Sequence, residues 1–146
     1  MHIELNGTSY KVQKEQTILE AARQHGVYIP SLCYHAKTGG VGKCRVCVVE
    51  VEGMRGIVTA CTVQVSDGMK VVTDSPSLQK HRRIVVDLLL SAGHHDCLSC
   101  AQCGHCELQD VAYALGITHP SFPQPARKEE DLSSEFLVFD ESKCIQ

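Results

Sequence analysis

Tryptophan is absent, and three Phe and four Tyr are all the aromatic bulk in 146 residues. With 43% apolar residues the chain suits one domain or two small ones with modest cores, and something besides hydrophobic burial is expected to help hold it together. A long hydrophobic run is missing too. The longest, Ile84 to Leu90, is broken by Asp87 and is far too short to span a bilayer, so no direct membrane insertion is expected. Met1-His2-Ile3-Glu4-Leu5 has neither a basic n-region nor an apolar h-region, so no signal peptide is expected and the chain is read as cytoplasmic, with reduced thiols. Basic excess is also lacking. A net charge of -3 and a pI near 6.2 give no footprint for nucleic acid, and the one basic cluster, His81-Arg82-Arg83, reads as a solvated helix face. No dinucleotide fingerprint, flavin motif, paired general acid and base or nucleophile constellation is present. Gly39-Gly40-Val41-Gly42-Lys43 looks superficially like a phosphate loop, but Lys37 stands where Gly is needed and Cys44 where Ser or Thr is needed. A catalytic centre is therefore expected outside these residues.

What the chain does have is cysteine, nine residues of it. In a reducing compartment so many thiols point to metal rather than disulfides. Cys33, Cys44, Cys47 and Cys61 follow C-x10-C-x2-C-x13-C, one isolated cysteine, a close pair and a distant fourth. That is the order of a plant-type ferredoxin with the first gap lengthened, in which four thiolates hold a [2Fe-2S] cluster. Gly39, Gly40 and Gly42 in the loop let backbone N–H groups approach the sulfurs. A structural zinc site fits less well, because zinc sites usually bring cysteines in two close pairs and only Cys44 and Cys47 are close.

Residues 2 to 12 alternate around Asn6-Gly7, which predicts a hairpin. Thr17-Ile18-Leu19-Glu20 is a capping box, and Ile18, Ala21, Ala22 and His25 recur at helical spacing up to Gly26. Val46 to Val51 and segments 57 to 61 and 69 to 73 read as further strands. Hairpin, helix and then more strands is the order of a ubiquitin-like β-grasp, expected over 1–76. Ser75-Pro76 predicts a helix start, with Leu78, Ile84, Val85, Leu88, Leu89 and Ala92 as its apolar stripe. A second helix is expected where Leu108, Val111, Ala112 and Leu115 repeat before Gly116. Residues 118 to 134 have linker chemistry, and Phe136-Leu137-Val138-Phe139 reads as a last strand. The fold class expected is α+β, with domains 1–76, 77–117 and a 118–146 linker that opens a further domain.

The second constellation runs from His94-His95-Asp96-Cys97 through Cys100 and Cys103 to Cys106-Glu107-Leu108-Gln109. Cys97, Cys100 and Cys103 offer C-x2-C-x2-C, and Cys97, Cys100 and Cys106 offer C-x2-C-x5-C; a zinc knuckle is the alternative for this segment taken alone. Taken together, the two motifs resemble the N-terminal region shared by the large iron-sulfur subunit of NADH dehydrogenase (complex I), NAD-reducing and [FeFe] hydrogenases and NAD-linked formate dehydrogenases. The resemblance covers nearly the whole chain. It implies a [2Fe-2S] cluster on a ferredoxin-like domain, then a small helical domain with a [4Fe-4S] cluster held by one His and three Cys. Carried over, these ligands are Cys97, Cys100 and Cys106, with Cys103 left as a spare thiol. Many members place the histidine where this chain has Gly93, but hydrogenase diaphorase subunits resemble Gly-Asn-His-x-Cys, which points to His95 ahead of His94.

In the same family, Asp140 to Gln146 resembles the start of a two-cluster ferredoxin domain whose first cysteine would be Cys144, so a truncated chain is expected. The resemblance implies electron relay in an NAD(P)-linked hydrogenase, with electron bifurcation as an option, between iron-sulfur subunits that oxidise NAD(P)H through flavin and a distal catalytic site. Formate dehydrogenase and complex I are alternatives for the parent enzyme. A zinc-stabilised interaction module and a free-standing ferredoxin are the alternatives of other kinds.

Overall fold

The computed structural model describes residues 1–126 and 129–140. Asn6 and Gly7 both take positive φ, 51° and 84°, as a tight hairpin turn requires. They join β1 (His2–Leu5) to β2 (Thr8–Lys11), paired antiparallel with Ile3 opposite Tyr10. The period-two pattern buries Ile3 and Leu5 on one face of β1. β5 (Val48–Val51), β6 (Ile57–Thr59) and β7 (Lys70–Val72) complete a mixed five-stranded sheet of order β2-β1-β7-β5-β6, in which β1 and β7 run parallel. The expected hairpin and these three strands are all present. A two-stranded hairpin of β3 (Tyr34–His35) and β4 (Gly39–Gly40), not read from the sequence, stands inside the first cysteine loop.

α1 (Ile18–Gln24) brings Ile18, Leu19, Ala21 and Ala22 into a core with Ile3, Leu5, Val49 and Val71. The expected capping box forms. Glu20 N donates to Thr17 Oγ1 at 3.3 Å, and Thr17 N donates to Glu20 Oε2 at 2.8 Å. The Thr17 N–H is the main reason the Glu20 carboxyl sits below its ordinary value. Thr17→Ala should cost about 1 kcal/mol of stability, read as a lower urea midpoint at unchanged slope. A carboxyl lowered in the fold stabilises above its unfolded pKa, and that contribution is lost as pH falls through the folded value. Glu20→Gln should therefore destabilise the protein at neutral pH and progressively less in acid.

The chain divides into two compact units, 1–82 and 83–146, with the division inside α2 (Pro76–Ser91). Ser75 begins α2 as expected, its Oγ accepting from Leu78 N at 3.2 Å. The buried stripe of α2 differs from the expected one. Ile84 and Leu88 are exposed, and the fully buried apolar positions are Leu78 and Val86. Arg82 lies between them at 3% exposure, so the reading of His81-Arg82-Arg83 as a solvated face fails at its centre. Three backbone carbonyls accept from the Arg82 guanidinium, which makes its burial tolerable.

In the second unit, Arg83 Nη1 donates to Leu115 O at 3.2 Å, just beyond α3 (Glu107–Ala114), and Asp87 Oδ1 accepts from Ser121 N at 2.8 Å. Gln124 Nε2 donates to Gly93 O, tying the proline-rich segment back to the end of α2. The strand expected at Phe136–Phe139 does not form. These four side chains are exposed, and among the described residues the segment makes one isolated bridge, Asp131 with Phe139. Cys144 lies outside the described residues.

Candidate iron-sulfur sites

The first site is built from the loop between α1 and β5 and from the turn after β6. Cys33 opens the β3–β4 hairpin, Cys44 and Cys47 precede β5, and Cys61 follows β6. The N-terminus of α1 fixes the backbone around Cys61: Leu19 N donates to Ala60 O and Ile18 N to Val63 O, both at 2.9 Å. Two otherwise unpaired helix amides are satisfied by the segment that carries the ligand. At the other end of the loop, Arg23 stacks over the Tyr34 ring at 4.5 Å and donates to Ser31 Oγ at 2.8 Å. These contacts bracket Cys33.

Glycine closes the loop onto Cys61. A Cβ on Gly40 would stand 2.6 Å from Cys61 O and 2.8 Å from Cys61 Sγ, so only glycine fits there. Gly42 adopts φ +67° beside Thr62, and Arg45 takes a left-handed φ of 57° between Cys44 and Cys47. Burial pushes the Cys33 thiol up, but N–H groups of Cys44, Lys43 and Val41 outweigh it and hold the thiol below its ordinary value. One of these contacts is Cys44 N to Cys33 Sγ at 3.5 Å. Burial raises Cys44 and pushes Cys47 up to about 12, with the neighbouring Cys61 and Cys44 sulfurs adding to the Cys47 shift.

Cys33 therefore neighbours Cys44, and Cys47 neighbours Cys61. Among the described residues no three His, Cys, Asp or Glu side chains converge closely enough to hold a single metal ion. The fit to a two-iron group rests instead on the paired thiols, the converging N–H donors and a cradle that a Cβ would fill.

The second site lies between α2 and α3. Cys97 and Cys106 are half-buried, and Cys100 and Cys103 are exposed. Cys106 is the N-cap residue of α3, in extended backbone. Tight turns carry the rest: Cys103 N donates to Cys100 O at 3.0 Å and Gln102 N to Cys100 Sγ at 3.4 Å. Burial raises the Cys97 thiol, as do charges on Cys103, Cys106 and Cys100 in that order. The other three cysteines of the segment, Cys103 included, thus lie near enough to Cys97 to act on its charge. Gln109, buried on α3, holds the turn by accepting from Gly104 N at 2.8 Å and donating to Cys103 Sγ at 3.7 Å. The role of Gln109 is not readable from the sequence. His94 Nε2 lies 2.9 Å from Pro125 O, which can only accept, whereas His95 is exposed.

Residues 1–76 match the 2Fe-2S iron-sulfur cluster binding domain, and residues 82–121 match the NADH-ubiquinone oxidoreductase-G iron-sulfur binding region. The gamma subunit of the NAD-reducing hydrogenase HoxS of Cupriavidus necator is 36% identical over 147 residues, covering 99% of this chain and 62% of that protein. The NADH-ubiquinone oxidoreductase 75 kDa subunit of Reclinomonas americana is 38% identical over 138 residues, covering 94% of this chain and 20% of that protein. A chain in the crystal structure of an NAD+-reducing [NiFe]-hydrogenase in the H2-reduced state matches with a TM-score of 0.87 and 37% identity, over 99% of this chain and 61% of that one. The chain thus spans less than two thirds of each of these relatives. Its cofactors are one [2Fe-2S] and one [4Fe-4S] cluster, as the two matched regions indicate. No helix among the described residues is long and apolar enough to cross a membrane. The chain belongs to the 2Fe-2S iron-sulfur cluster binding domain family, in the arrangement shared by NADH-ubiquinone oxidoreductase 75 kDa subunits and NAD-reducing hydrogenase subunits.

Proposed function

We propose that this chain is the electron-relay part of an NAD(P)-linked hydrogenase, passing single electrons between a flavin-containing, NAD(P)H-oxidising partner subunit and a distal catalytic site in the cytoplasm. The observation that carries the proposal is the first loop, where Gly40 seats against Cys61 and backbone N–H groups converge on Cys33. Cys33, Cys44, Cys47 and Cys61 hold the [2Fe-2S] cluster within domain 1–76. His95, Cys97, Cys100 and Cys106 hold the [4Fe-4S] cluster within domain 77–117, and residues 118–146 lead to a further ferredoxin-like domain. When bound, each cluster supplies one-electron chemistry. The protein's own part is to bury Cys47 and Cys61 from water, orient the four sulfurs and direct N–H groups at them.

Similarity to the 75 kDa component of NADH-ubiquinone oxidoreductase favours a second reading, the same relay in an NADH dehydrogenase assembly. Both readings give the same first result. Protein purified without oxygen should hold about six irons, from a two-iron and a four-iron cluster, and show two EPR signals after dithionite reduction. Zinc without iron would overturn the relay and leave an interaction module stabilised by a redox-silent ion.

A further inference from the structure

Arg82 is the most buried charged side chain on α2, at 3% exposure. Its Nη2 donates to Val48 O at 2.6 Å and to Thr73 O at 2.8 Å, and its Nε donates to Val46 O at 3.3 Å. Val46 and Val48 flank Cys47 in the chain, so the guanidinium lies along the backbone that presents this ligand. Guanidinium remains charged in proteins, and a buried cation ordinarily sits beside an anion. The carboxylate within reach, Asp74, is 3.9 Å away with 64% of its side chain in water, which screens it. The Cys47 sulfur is the next source of negative charge acting on Arg82. Three carbonyls satisfy Nε and Nη2, but among the described residues the negative groups acting on the charge are a screened carboxylate, the Cys47 sulfur and the Tyr28 hydroxyl, in that order.

We propose that Arg82 is a positioning residue that supplies a buried positive charge to the [2Fe-2S] site and raises its reduction potential. The proposal rests on Cys33, Cys44, Cys47 and Cys61 being the ligands. Reduction adds one electron and no proton, taking a four-thiolate [2Fe-2S] group from a net charge of about -2 to about -3. A cation held in a medium of low dielectric favours the more negative state. A carbonyl clamp joining the start of β5 to the end of β7 would serve stability without touching the potential, so the two roles separate experimentally.

The test is a potentiometric titration of the [2Fe-2S] EPR signal, with dithionite as reductant, on the full chain carrying both clusters. Arg82→Gln removes the charge and keeps a donor; Arg82→Lys keeps the charge and loses the three-carbonyl fork. Arg82→Gln should lower the reduction equilibrium on the order of tenfold, ~59 mV for one electron, and Arg82→Lys should keep most of the wild-type value. Both should unfold at a lower temperature, because both lose hydrogen bonds. Equal potentials in the two variants, shifted or not, would overturn the proposal and leave a clamp. Should Arg82→Gln fail to load iron, Arg82→Met, which removes the charge and fills the space with apolar atoms, takes its place, and a potential equal to that of Arg82→Lys would overturn the proposal. A wild-type chain that lacks the [2Fe-2S] signal would instead sink the ligand assignment.

Discussion

Gly40→Ala is expected to empty the first site while leaving all four of its cysteines in place. The added methyl would meet the carbonyl oxygen of Cys61 at 2.6 Å and its sulfur at 2.8 Å, and a backbone atom cannot swing aside as a flexible side-chain tip can. The backbone around Cys61 is itself fixed, since Ala60 O and Val63 O accept from the first turn of α1. Relief must come from moving the β3–β4 hairpin, which carries Cys33 at its base. Overpacking of this kind costs ~1–3 kcal/mol, which is about five- to 150-fold in the equilibrium that seats the cluster. Iron per chain and the [2Fe-2S] EPR signal measure it. Gly39→Ala is the control. It bears the strain of a left-handed φ of 73°, but its added Cβ meets nothing within 4 Å, so it should retain most of the cluster. Full [2Fe-2S] occupancy in Gly40→Ala would show that the hairpin is not part of the cradle.

Much of this site is legible in the sequence because its determinants are local. The Asn6-Gly7 turn, the Thr17–Glu20 capping box and the Ser75-Pro76 helix start each rest on residues within a few positions of one another. The seating of Gly40 on Cys61 joins segments twenty-one residues apart, and a glycine near a cysteine motif does not say which backbone it must admit. Asn6 is a second case. Beyond its turn it donates to Thr73 Oγ1 and accepts from Thr73 N, fixing the end of β7, and nothing local foretells that partner. Arg82 is hidden for another reason. A hydropathy stripe counts arginine as polar, so the buried line Leu78, Arg82, Val86 reads as one displaced onto Ile84 and Leu88. The error at Phe136–Phe139 has the opposite origin. Four apolar residues in a row meet the composition of a strand, but a strand needs a neighbour, and among the described residues this segment bridges Asp131 alone.

His95→Ala should abolish the [4Fe-4S] EPR signal and lower iron by about four per chain, whereas His94→Ala and Cys103→Ser should keep both. The choice between histidines follows from what each ring already does. His94 gives its Nε2 proton to Pro125 O and so holds the segment that follows α3, while His95 is exposed two residues before Cys97. The harder rival is Cys103, the first among the cysteines whose charge acts on Cys97. Charge separates them. A fourth thiolate would add a negative charge to a site already holding three, whereas imidazole ligates as a neutral group and raises the potential. The contact of Gln109 with both Gly104 N and Cys103 Sγ gives Cys103 a different task, that of anchoring the turn between Cys100 and Cys106 to α3. Serine can still accept from the Gln109 amide, so Cys103→Ser should preserve that anchor. Loss of the signal in Cys103→Ser together with its survival in His95→Ala would assign the fourth ligand to the thiol. His95→Cys would then change nothing, whereas with imidazole as the ligand it should rebuild the cluster at a lower potential.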